Sequence, residues 1–136
     1  MKKITSTIVL SLILSLSSCR ISKTITMLNA KSNSKLSEEQ FLLGKNNEIM
    51  YLNLSQGTKS SCLEIWKEEK DKLTRVDTEK NEEIAPVVYD SEMKFRALLS
   101  SDKLAEYKKI YRNKATHFFL NDKQLSEIKR IYIDKK

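Results

Sequence analysis

Leu36-Ser37-Glu38-Glu39-Gln40-Phe41 is the stretch that decides the fold. A serine followed three places later by glutamine is the pattern of a capping box, in which each side chain satisfies a backbone N–H that the start of a helix leaves free. Leu36 and Phe41 stand where a hydrophobic staple would clamp that start. The spacing predicts a helix that begins after Ser37 and runs through Phe41, Leu42, Ile49 and Leu52 to Gly57, read as its stop. The same kind of start recurs twice. Leu99-Ser100-Ser101-Asp102-Lys103 again sets a capping hydroxyl after a leucine, and Leu104, Tyr107, Ile110, Tyr111, Ala115 and Phe118 follow at helical spacing. Leu120-Asn121-Asp122-Lys123-Gln124 opens a last helix through Leu125, Ile128, Ile131 and Tyr132.

Between these starts, Thr58, Ser60 or Ser61 is suited to cap a helix carrying Leu63, Trp66, Leu73 and Val76 and continuing towards Ala85. Glu68/Lys72 and Asp71/Arg75 stand at the favourable i,i+4 spacing on its charged face. Pro86 breaks or kinks this helix, and Val87, Val88, Tyr89, Met93, Phe95, Leu98 and Leu99 resume it. The whole chain holds two glycines and one proline, with little strand-type alternation. The expectation is a single all-α domain over residues 36–136, a small antiparallel helical bundle or helical hairpin of four or five helices.

Ahead of that domain, Met1-Lys2-Lys3 precedes an uncharged run from Ile4 to Leu16, too short to span a bilayer as a helix and shaped like the apolar part of a secretory signal. Leu16-Ser17-Ser18-Cys19 resembles the lipobox of bacterial lipoproteins. That resemblance implies that residues 1–18 are a cleaved signal peptide, that the Cys19 thiol receives a diacylglyceryl group, and that the new amine is often acylated. Two or three acyl chains anchor a protein stably where one does not. Residues 19–35 then read as a lipidated cysteine and a flexible tether, since Ser, Thr, Asn and Lys mix there without a sustained period. Arg20 is not the aspartate that marks inner-membrane retention in enteric bacteria. By that analogy the protein faces the periplasm from the outer membrane.

Without its first 18 residues the chain is 118 residues long, enough for one small domain. Cys19 is consumed by lipid, so Cys62 has no intramolecular partner, and beside Leu63, Ile65 and Trp66 it reads as a small core residue. The net charge of +7 is unevenly spread: residues 20–36 hold four basic and no acidic groups, residues 37–102 hold nine against fourteen, and residues 103–136 hold ten against four. A basic chain raises the question of nucleic acid, but export excludes that partner. The basic surface of Lys108, Lys109, Lys129 and Arg130 is instead expected to meet an acidic partner or the anionic membrane, or else to offset the acidic middle within one bundle.

Catalytic patterns are wanting. His117 is the sole histidine, where a zinc site needs three or four ligands, and no phosphate loop or nucleophile elbow occurs. Glu64, Glu68, Glu69, Asp71, Glu79, Glu82 and Glu83 read as carboxylates of a solvated helix face. The expectation is a protein that is not an enzyme, with no cofactor and no metal. Its repeated starts, Leu36, Ser37 and Gln40, then Leu99 and Ser100, then Leu120 and Gln124, resemble the Leu-Thr-x-x-Gln motif of the periplasmic Spy and CpxP helical proteins, with serine for threonine and Lys103 in place of the second glutamine. The segment from Met93 to Lys114 looks like that family's second motif and the helix after it. The resemblance implies ATP-independent binding of unfolded or stress-exposed envelope proteins. Competing readings are a structural or accessory lipoprotein of an envelope complex and a small immunity-type lipoprotein.

Overall fold

The computed structural model describes residues 26–111 and 117–135, so Cys19, the proposed signal and the first part of the tether lie outside the described residues. Six α-helices are present and no strand occurs among those residues. They are α1 over 26–34, α2 Glu38–Ile49, α3 Gln56–Arg75, α4 Asn81–Leu98, α5 Ser101–Tyr111 and α6 Asp122–Ile128. A 3-10 turn, Met50–Leu52, follows α2, and a π-turn, Lys129–Ile133, extends α6.

The starts fall where the capping pattern puts them. Ser37 Oγ accepts from the Gln40 N–H at 3.2 Å while Gln40 Oε1 accepts from the Ser37 N–H at 3.2 Å, a complete capping box. Asn121 and Gln124 form another at 2.8 and 2.9 Å. Ser100 Oγ accepts from the Lys103 N–H at 3.3 Å and caps α5 without a reciprocal partner, since Lys103 has no acceptor to offer.

Four boundaries differ from the sequence reading, the first being that Phe118, read into the helix after Ser100, lies outside any helix. Gly57 is not a stop: it lies in the first turn of α3, and the left-handed residue that ends the preceding turn is Asn53, φ 49° and ψ 52°. Consequently Ser55, rather than Thr58, Ser60 or Ser61, caps α3, its Oγ accepting from the Thr58 N–H at 3.2 Å. The break between α3 and α4 falls at residues 76–80 and not at Pro86. There Asp77 Oδ1 accepts from the Glu79 N–H at 3.0 Å and Glu83 Oε2 from the Asp77 N–H at 2.7 Å, a local turn that competes with helix. Pro86 sits in the second turn of α4, flanked by the buried Ile84, Ala85 and Val88, whose packing keeps the helix continuous across it.

The largest correction concerns the tether over 19–35. Its second half is helix α1, with Met27 and Ala30 each 5% exposed and part of the core. Side chains bind it to distant parts of the chain. Gln124 Nε2 donates to Thr26 Oγ1 at 2.8 Å, Asn33 Nδ2 to the His117 carbonyl at 2.8 Å, and Lys70 Nζ to the Ser34 carbonyl at 2.7 Å.

The centre of the bundle is aromatic. Phe119 lies 6.0 Å from Trp66, 5.2 Å from Phe95 and 5.9 Å from Tyr107 between ring centroids, so the segment after α5 plugs the space enclosed by α3, α4 and α5. All four rings are buried.

Candidate functional site

Helix α2 is apolar on two stripes. Phe41 and Ile49 turn into the core, while Leu42 and Leu43 line a surface cleft against α3. The cleft is about 400 Å³, within the usual size of ligand sites, and its apolar wall is Leu42, Leu43, Ile49, Cys62, Leu63 and Trp66. Cys62 and Trp66 are buried beneath it, whereas Leu43 is 59% and Leu63 38% exposed. A run of apolar surface left open beside buried floor residues is what a binding groove requires and a finished core does not. Trp66 Nε1 is buried without a hydrogen-bond partner among the described residues. Burial pushes the Cys62 thiol up to about 11, so it is a floor group and a poor nucleophile at neutral pH.

Behind the cleft, on the core side of α2 and α3, lies a buried ionic network. Lys45 Nζ is 2.9 Å from Glu69 Oε2 and donates to the Phe118 carbonyl at 2.8 Å, with the Phe119 ring centroid 4.5 Å away. Ser91 Oγ donates to Glu69 Oε2 at 2.6 Å. A second cluster adjoins it: Glu92 accepts from Tyr107 Oη at 2.5 Å and from Arg96 Nε at 3.1 Å, and Arg96 continues to Asp122 Oδ1 at 2.6 Å and to the Leu120 carbonyl at 2.8 Å. Burial pushes the Glu92 carboxyl up, against the pull of Tyr107, Lys45 and Arg96. These groups hold the 117–122 segment on the bundle. Their partners are all within the chain, so their evident use is structural.

Glu69 is therefore not a solvated carboxylate, as the charged run around it suggests, but a buried ion-pair member at 5% exposure. Its partner Lys45 and the residues Ser91, Glu92 and Arg96 carry no local signal of burial. Glu68 does lie in water, held low by Lys72 and Lys94.

Lys108, Lys109, Lys129 and Arg130 are all exposed. Lys108 reaches Asp122 at 3.7 Å, inside the same basic third of the chain. The acidic middle is met by its own cations, Glu68 and Asp90 by Lys72 and Lys94, Asp71 by Arg75 and Asp77 by Lys80, with Lys31 of α1 on Glu79. Those pairs show the basic third is not what balances these carboxylates. Phe41 and Tyr107 are fully buried, and Leu42 lines the cleft. His117 is exposed, with its ring 5.1 Å from that of Phe118. Among the described residues no group of three His, Cys, Asp or Glu side chains is placed to hold a metal ion, and no helix is long and apolar enough to cross a membrane.

Comparison with known proteins finds no matching family model, no similar curated protein and no similar solved structure.

Proposed function

We propose that this chain is a lipid-anchored, non-catalytic binding module of the bacterial cell envelope, held through Cys19 at the periplasmic face of the outer membrane and receiving an envelope protein in the α2–α3 cleft. The observation that carries it is the cleft itself, an apolar trough flanked by solvent-facing Leu43 and Leu63. An address on the membrane surface and an open apolar groove together describe a protein that holds another rather than transforms it. The resemblance of the helix starts to the Leu-Thr-x-x-Gln proteins supports the same reading and extends it towards chaperone-like binding. The exposed cations Lys108, Lys109, Lys129 and Arg130 fit a second contact with the anionic membrane that the anchor keeps nearby.

Two measurements test this reading. Cys19→Ser should leave the helical circular dichroism unchanged and move the protein from the membrane fraction to the soluble one. A photo-crosslinking residue at Leu43, in cells producing the lipidated chain, should trap a discrete envelope protein that the same residue at the exposed Glu64 does not. Unchanged membrane association of the serine variant, or equal labelling from both positions, would defeat the proposal.

A further inference from the structure

We propose that the α2–α3 cleft takes an amphipathic helix of about three turns, lying antiparallel to α2, with an acidic residue in its first turn over Lys59 and a basic residue in its last turn over Glu39. This deepens the binding-module reading and rests on it.

The dimensions come first. From Glu39 to Ile49 the cleft wall on α2 spans eleven residues, about 15 Å of helix or roughly three turns. Leu43 and Leu63 face solvent along it. An open trough suits a helix, which presents one apolar stripe and keeps its other face wet; a single acyl chain needs cover on every side to leave water.

The charges then give direction. Only residues 50–55 separate α2 from α3, and the two pack directly, with Lys45 2.9 Å from Glu69, so α2 and α3 run antiparallel. Glu39 and Trp66 thus stand at one end of the trough, with Ile49, Gln56 and Lys59 at the other. Both end charges are exposed. Helices favour acidic groups in the first turn and basic ones in the last, and a helix of that ordinary polarity satisfies both ends only when antiparallel to α2.

Among the described residues, a second copy of this chain does not supply such a helix. α2 has no basic residue in its last turn and α3 no acidic residue in its first. α4 and α5 have the right ends, but Val88 and Phe95 of the one and Tyr107 of the other are already in the core.

The test uses the full chain in nanodiscs and three synthetic amphipathic peptides of equal composition: one with glutamate first and lysine last, one with those ends exchanged, and one with its apolar positions scrambled. Binding is followed by anisotropy of the labelled peptides and by the fluorescence of Trp66, the only tryptophan. The first peptide should bind more tightly than the exchanged one by on the order of fivefold at low salt, as two exposed ion pairs allow, with the gap narrowing at high salt. The scrambled peptide should fail. Leu43→Glu should weaken binding about tenfold or more, as loss of a central apolar anchor does, and the paired exchange Glu39→Lys with Lys59→Glu should invert the end preference. Equal binding of the two ordered peptides at low salt would overturn the orientation. Absence of peptide binding would overturn the helical occupant, as would a concentration-dependent dimer abolished by Leu43→Glu. If crosslinking from Leu43 still traps a discrete envelope protein in that case, the binding-module reading stands alone; if it does not, both fall.

Discussion

A methyl group on Gly44 would collide with the ring of Phe118, while nothing approaches within 4 Å of one on Gly57. Both glycines lie in helices, where alanine is the better former by up to about 1 kcal/mol. Gly57→Ala should therefore raise the melting temperature. Gly44→Ala should lower it, because the ring that must move lies edge-on to Phe41 and belongs to the residue whose carbonyl receives Lys45. Thermal melts of the two single variants check the pair of signs. Lys45 itself tests the buried network: Lys45→Met leaves the Glu69 carboxylate buried and unpaired, which typically costs about 3–5 kcal/mol. Denaturant titration should show that loss, and Lys45→Met combined with Glu69→Leu and Ser91→Ala should recover much of it. At this scale the sequence was readable where chemistry is local. Cys62 among apolar neighbours reads as core and is core. Glu69 reads as surface, because the lysine that buries it comes from another helix, 24 residues earlier.

Helix starts were the most legible elements, since a cap and its partner lie three residues apart and need no tertiary context. Ser37→Ala, Ser100→Ala and Asn121→Ala should each cost roughly 0.5–2 kcal/mol, the usual range for a lost cap, since each removes the one side-chain oxygen that accepts from the third residue of its helix. Chemical denaturation of the three variants checks the size of each loss. Helix ends were read less well. Gly57 follows a left-handed Asn53 that already ended the turn, and the break at 76–80 depends on Asp77 and Glu83 bonding to backbone N–H groups rather than on the proline that signals a break. α1 escaped the reading for another reason. Its polar composition lacks an amphipathic stripe, and Thr26, Asn33 and Met27 are buried because residues far along the chain reach them. The cleft was missed likewise: Leu42 and Leu43 are visible as apolar, but only the placement of α3 leaves one side of α2 uncovered.

At the scale of the molecule, the acidic middle and the basic last third are joined through Arg96, which is shared between Glu92 and Asp122. The Arg96 guanidinium beside Asp122 holds that carboxyl below its ordinary value. A depressed folded value means stability that is fully present above the ordinary carboxylate range, around 3.9, and is lost as pH falls through the lower folded one. Asp122→Asn should accordingly lower the melting temperature at neutral pH, and the difference from the parent chain should shrink as the solution is acidified below pH 4. A constant difference across pH would show that the Asp122 charge does not stabilise the fold through Arg96.

The ties on α1 bear on when the bundle can form. Thr26 and Gln124 are bonded across 98 positions and Asn33 and the His117 carbonyl across 84, so α1 is tied to residues far along the chain. Contacts so distant in sequence close late, because the loop between them must be ordered first. A polypeptide delivered from its N-terminus, whether from a ribosome or through a translocation channel, can tie α1 to Lys70 and Glu79 early but lacks the ties to His117 and Gln124 until those residues emerge. The bonds that fasten both ends of α1 are thus among the last that a chain delivered in this direction can make.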